Sequence, residues 1–270
     1  MSYVFRALTN EGYTLKTLVN LLLHTIKDAC FEIDQNEMRL RMMNTSKTIL
    51  LDIVMGSSNF RKYHVTGKRH LGINVDLFNK IMESVKKNDS VEFFIEEGKQ
   101  EELGIKVFPK EDKTRINTSY IRIQNIQNIE IELPKGYSSS VTIKSNEFQK
   151  ICKEFCKNHT QIRITSYDDT IKFESNNNII RRETILGSDE LEEKKEKNKE
   201  AIYDEYFSSE TLSKIIKLAG LSNSLQIFVK KGNPLFLRSE IGKISLGKIS
   251  VYLKSNELKE AESHSIEEDD

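Results

Sequence analysis

The chain has 270 residues, 41 Lys and Arg against 41 Asp and Glu, and is 37% hydrophobic and 30% charged. That length allows two ordinary domains with a core each, and no apolar run approaches the ~20 residues of a membrane-spanning helix. The 3 cysteines, Cys30, Cys152 and Cys156, are odd in number and lack disulfide-like spacing, which points to a reducing compartment.

Residues 3–8 read as a strand, and Met1-Ser-Tyr-Val-Phe-Arg is not an apolar leader. A helix is expected over 13–27, where Leu15, Leu18, Val19, Leu22 and Ile26 recur at helical spacing. Strands follow at 29–34 and 38–43 around Gln35-Asn36, then at 49–55 and 61–66. Asn74 or Asp76 starts a second helix whose pattern carries Leu77, Phe78, Ile81, Met82 and Val85, with Lys80, Glu83 and Lys87 on the other side. Strands at 91–96, 104–108 and 118–124 end this first half.

Residues 126–137 are apolar at Ile126, Ile129, Ile131 and Leu133, but Pro134 and Gly136 exclude a strand in mid-sheet. They read as a connector with more exposed hydrophobe than a tether needs. Beyond it the same succession returns: a strand at 139–144, a helix from Ser145 to about 158 with Phe148, Ile151, Cys152 and Phe155 inward, and strands at 161–165, 171–174 and 179–186. A charged loop at 188–200 and a strand at 201–207 precede a fourth helix, from Ser208 or Ser209 to Gly220, and strands at 225–230, 235–241 and 243–254. The recurrence implies duplication. The expected class is α+β: two similar modules, 1–125 and 138–255, each with two helices on antiparallel sheets, a connector at 126–137 and a tail at 256–270. The tail holds seven acids against Lys259 alone, so the rest of the chain is net basic. An acidic, aromatic-free tail is expected to be disordered, and a basic body suits an anionic partner.

Catalytic chemistry is not in view. Gly242-Lys-Ile-Ser-Leu-Gly-Lys-Ile nearly spells a phosphate loop, but Ile249 stands where a hydroxyl is needed and a strand follows instead of a helix. Cys152, Cys156 and His159 share helical spacing, yet Cys152 belongs to the core stripe and no fourth ligand appears. Asp168-Asp169 is a turn pair. No cofactor or metal is expected, and the chain reads as a non-enzyme.

The positive signal is lysine on all four helices opposite the core: Lys16 and Lys27, Lys80 and Lys87, Lys150 with Lys153 and Lys157, and Lys214 with Lys217. One such face is ordinary; four in one repeated layer make a surface for phosphate, without base reading.

Ala29-Cys-Phe-Glu-Ile-Asp with Met38-Arg-Leu-Arg-Met-Met-Asn-Thr-Ser-Lys47, then Leu71-Gly-Ile-Asn-Val-Asp-Leu-Phe-Asn-Lys-Ile-Met and Ser145-Asn-Glu-Phe-Gln-Lys-Ile-Cys-Lys, resemble successive segments of the proliferating cell nuclear antigen family, the sliding clamps of eukaryotic-type replication. Pro234, Tyr252-Leu253 and the acidic tail resemble its C-terminal end. The resemblance implies the DNA clamp fold and a head-to-tail trimeric ring around double-stranded DNA, with Lys16, Lys80, Lys150, Lys153, Lys157 and Lys217 lining the channel. It implies subunit pairing between the edge strands 118–124 and 179–186, through Tyr120, Arg122, Ile179 and Arg181. It implies a groove for short peptide motifs of DNA polymerase, clamp loader, ligase and nucleases, formed by Met43, Lys47, Thr48, Leu50, Ile131, Leu133, Pro134, Pro234, Tyr252 and Leu253. The expected site of action is the nucleus or a viral replication compartment. Lys47, Glu132 and Lys254-Ser255 depart from the family pattern at the groove, Glu83 departs in the channel, and Asp168 stands where the family carries a modifiable lysine. The alternatives are a subunit of a heterotrimeric checkpoint clamp, a non-ring processivity factor, and, from another class, a nucleic-acid-processing enzyme.

Overall fold

A computed structural model describes residues 2–111, 115–127, 129–137, 139–158, 160–167, 170–177, 179–187, 201–243 and 245–267. His159, Asp168-Asp169 and the charged run 188–200 lie outside the described residues. The first half runs β1 (Tyr3–Thr9), α1 (Gly12–Thr25), β2 (Asp28–Ile33), β3 (Glu37–Met43), β4 (Ile49–Gly56), β5 (Lys62–Val65), β6 (Arg69–Asn74), α2 (Val75–Met82), β7 (Ser90–Glu96), β8 (Lys99–Phe108) and β9 (Asn117–Arg122). The second runs β10 (Ser139–Lys144), α3 (Ser145–Asn158), β11 (Gln161–Tyr167), β12 (Thr170–Asn176), β13 (Arg181–Gly187), β14 (Tyr203–Ser208), α4 (Ser209–Lys214), β15 (Ser224–Val229), β16 (Leu235–Ile241), β17 (Gly247–Leu253) and α5 (Asn256–Glu267).

Strand order shows the duplication. The first half contributes β5-β1-β7-β8-β9 and β4-β3-β2-β6, and the second contributes β10-β15-β16-β17 and β13-β12-β11-β14. Each half therefore repeats the same two sheets, with β5 as an addition. The β4 and β17 edges pair with each other from Ile49 opposite Leu253 to Val54 opposite Lys248, which fuses two four-stranded sets into one eight-stranded sheet. Their counterparts, β13 and β9, end the other two sheets without a partner among the described residues.

Alternation sets the two faces of the central sheet. Leu51, Ile53, Leu235, Leu237, Ile249, Val251 and Leu253 point into the main core with the stripes of α1, α3 and α4. α2, α1, α4 and α3 pack side by side in one layer, α2 against β6 and α3 against β10 and β15. Asn74 and Ser208 cap α2 and α4, accepting from Leu77 N–H and Thr211 N–H, each at 3.1 Å. Gly72 permits the chain to leave β9: Gln124 bridges to it, and a Cβ there would sit 2.2 Å from the Gln124 carbonyl oxygen.

Several helix ends differ from the sequence expectation. α1 stops at Thr25 and α2 at Met82, so Lys27 and Lys87 lie beyond them. Just past that end Lys16 reaches across from α1 and donates to the Glu83 and Val85 carbonyls at 2.8 and 3.0 Å, satisfying groups the helix leaves free. The fourth helix divides at Ile215, and Lys217 rides on a 3-10 turn over Ile216–Gly220. Leu212, Ile215, Leu218 and Leu221 are buried at a spacing of three, the period of that tighter helix.

The tail is the largest departure: residues 256–267 form α5, packed against β14. Ser255 Oγ accepts from Leu258 N–H at 3.2 Å, and the Glu257 carboxylate accepts from Tyr206 N–H on the open edge of β14 at 3.1 Å to each oxygen. Lys254 Nζ pairs with Glu262 at 2.5 Å. Acidic composition alone suggested disorder, but a cap and an edge amide give the first turn somewhere to bind. Glu205 on β14 faces Glu257, Ser255 and the Gly232 amide; burial first, and then the Glu257 carboxylate, raise its carboxyl above the usual range. Docking thus takes up a proton, and it is strongest below the ordinary carboxyl range and fades as pH rises through the raised value. Hydrogen exchange at the Tyr206 amide is expected to quicken with pH beyond the intrinsic rate, and Glu205→Gln to remove that excess. An unchanged excess in Glu205→Gln assigns it to another group.

Candidate nucleic-acid face and peptide groove

The outer side of the helix layer carries the lysines read from sequence, but their surroundings differ. Lys80 pairs with Asp76 at 2.7 Å, Lys150 with Glu147 at 2.8 Å and Lys214 with Glu210 at 2.7 Å. The partner carboxylates push Lys80 and Lys150 up, so both stay charged at neutral pH. Lys16 is half-buried and engaged with the end of α2, so it straps two helices and is not a free cation. Lys153 donates to Gln149 at 3.2 Å, and among the described residues neither it nor the exposed Lys27, Lys87, Lys157 and Lys217 has a carboxylate partner. Lys27 and Lys214, from opposite halves, line one cleft of about 430 Å³ with His24, Ser46 and Asp76. Lys87 lies apart, in a cleft of about 690 Å³ between the halves.

On the opposite face of the central sheet lies a second, small apolar cluster of Leu50, Phe236 and Tyr252, flanked by Met43, Ile131, Leu133, Tyr137 and Phe228. Strand register builds its floor. Phe228 stands opposite Phe236, Phe236 opposite Tyr252, Tyr252 opposite Leu50, and Leu50 opposite Met43. That row crosses five strands, roughly 19 Å at the usual inter-strand spacing. Its rings stack: Phe228 on Phe236 and Phe236 on Tyr252, both at 4.6 Å between centroids.

The connector lies along this row without forming a strand. Arg41 holds it, donating Nη1 to the Ile131 carbonyl at 3.0 Å while Nε pairs with Asp52 at 2.9 Å. Tyr137 donates its hydroxyl to the Pro234 carbonyl at 2.6 Å, and burial pushes that phenol up. Lys230 donates to the Lys135 carbonyl at 3.0 Å. Ile131, Leu133 and Pro134 are half-buried, so they both fasten the connector and present apolar surface beside the row. Asn44 shapes the opposite rim: its Oδ1 accepts from the Thr48 and Ile49 amides, both at 2.9 Å, and Lys47 sits exposed with φ at +53°.

Most of the expected groove residues converge here, with one exception. Leu253 is fully buried in the main core, because the alternation that turns Tyr252 outward turns its neighbour inward. Phe228, Phe236, Tyr137 and Arg41 also stand here and were not read from sequence. One outward aromatic on each of the last three strands was the available signal.

The β9 and β13 edges carry uncovered apolar side chains. Beside β9, Ile116 is 54% exposed and Tyr120 50%; before β13, Ile179 is 88% exposed and Ile180 41%. Ile179 belongs to the turn preceding β13 and not to the strand, where Asn177 Oδ1 accepts from its amide, and Arg181 is the first residue of β13. Ile123 N–H donates to the Glu101 carbonyl, at 2.8 Å, so alternation turns the amides of Tyr120 and Arg122 toward the free side.

The description of the proliferating cell nuclear antigen N-terminal domain matches residues 4–132, and that of its C-terminal domain matches residues 131–255. The chain belongs to the proliferating cell nuclear antigen family. It is accordingly a DNA sliding clamp. It is similar to a probable DNA polymerase sliding clamp 1 of Paramecium bursaria Chlorella virus 1, 25% identical over 88% of this chain and 92% of that protein. Proliferating cell nuclear antigen of Chaetomium thermophilum is 22% identical over 88% of this chain and 93% of its own length. The solved structure of the Entamoeba histolytica protein of that name shares the fold, with a TM-score of 0.81 and 18% identity over 94% of this chain and all, 100%, of that one.

Proposed function

We propose that three copies of this chain close head to tail around duplex DNA, as a non-enzymatic tether that holds polymerase, ligase, nuclease and loader proteins by peptides laid in the connector groove. One observation carries the reading. The β4–β17 joint inside the chain is the pairing of the same two module edges that β13 and β9 leave open at its ends. An uncovered edge invites a strand, and a second copy supplies the counterpart. The contact is heterologous, so it ends only by closing on itself. Solution mass by light scattering, followed by retention on circular against linear duplex, tests this; a monomer that dissociates equally from both overturns it.

The exposed helix faces contribute charge without base recognition, since lysine acts as a point charge toward phosphate. Replacing Lys153, Lys157 and Lys217 together by Glu is expected to weaken DNA retention and leave the oligomer intact. At about −0.9 per phosphate contact, the log–log salt slope falls by up to ~2.7. An unchanged slope places the contacts elsewhere. The site of action that fits these partners is the nucleus or a viral replication compartment.

A further inference from the structure

The groove has a cation beside its aromatic floor. Arg238 on β16 is exposed, and its guanidinium carbon lies 5.2 Å from the Phe228 ring centre and 4.9 Å from that of Phe236. Its cross-strand neighbours are the neutral Gln226 and Ser250. The next carboxylate along the same row, Asp52, is taken by Arg41, and Glu240, two residues on, is engaged with Lys248 and Ser245. Stacking uses only the faces of a guanidinium; its five N–H donors lie in the plane and remain available. Among the described residues Arg238 makes no ion pair. The rim adds exposed Lys47 and Lys231, whereas Lys254 is held by Glu262.

We propose that Arg238 selects partner peptides carrying a carboxylate side chain next to the aromatic or aliphatic anchor that rests on the Phe228–Phe236–Tyr252 row. This deepens the groove reading and rests on it. The anchor covers the half-buried Phe228 ring beside the already buried Phe236 and Tyr252, displaces water from the guanidinium flank, and leaves its in-plane donors facing the residue beside the anchor. In that partly dry setting a carboxylate forms a charge-assisted, bidentate pair, and a lysine meets a like charge. Lysine in place of Arg238 keeps the charge and loses the planar fork.

The test uses the full chain and short peptides with one phenylalanine anchor, in which Glu or Lys is placed in turn at each position flanking it, with affinity read by calorimetry. For the wild type the best Glu peptide is expected to bind about tenfold tighter than its Lys counterpart, the effect of one charge-assisted hydrogen bond. Arg238→Gln is expected to abolish that ratio, whatever the change in affinity for an all-neutral peptide, and Arg238→Glu to invert it. A ratio near one in the wild type, or a ratio kept by Arg238→Gln, overturns the role of Arg238 while the groove stands. Failure of every peptide to bind overturns the groove reading and the inference with it.

Discussion

Replacing Leu133 and Tyr252 together by alanine is expected to abolish peptide capture and polymerase stimulation, while the assembly still encircles DNA. Leu133 is half-buried at the connector wall, and Tyr252 is stacked on Phe236 at an interplanar angle of 10° with 5% of its surface exposed. Truncating a well-buried anchor contact costs more than ~2 kcal/mol, roughly thirtyfold in affinity. Leu133 and Tyr252 belong to the same small apolar cluster, so their effects need not add. Because Tyr252 also supports the small outer cluster, Leu133→Ala alone is the cleaner variant, with about a thirtyfold loss and little change in melting temperature. Affinities equal to wild type in both folded variants remove the groove from this face.

Tyr120→Pro is expected to reduce the oligomer to monomers. The amide of Tyr120 points away from β8, so proline leaves the pairing within the subunit intact and removes a donor only from the free side. The ring also narrows φ and pushes Cδ toward an incoming strand. Tyr120 itself is half-exposed and stacks edge-on against Phe94 at 6.0 Å, so the substitution also takes away exposed apolar surface at this edge. Light scattering reads the outcome directly. A trimer that persists in this variant moves the joint to another edge.

Periodicity found nearly every strand and helix because each has one face in the core: the stripe of Leu15, Leu18, Val19 and Leu22 leaves α1 no other reading. Helix ends were less legible. The carbonyls at the end of α2 are satisfied by a lysine from another helix, which no local pattern shows, and the division at Ile215 follows a tertiary spacing of three. In the groove, Ile131 and Leu133 announced themselves by sitting in a segment that could not be a strand. The aromatic floor did not, because Phe228, Phe236 and Tyr252 become neighbours only once register is known. Composition misled at the tail, where Ser255 sat three residues before Leu258 as a readable cap.

That tail gives the subunit a direction. The sheet β13-β12-β11-β14 has two edges, and without α5 either would accept a neighbouring strand. Glu257 occupies the outward amide of Tyr206, and the helix packs along β14, so one edge is stoppered, while β13 has no partner among the described residues. On the sheet of the first half β9 is open, and its other end is β5, only 4 residues long. Side-branching, the usual route from exposed strands to insoluble mixtures, then has no starting point on β14.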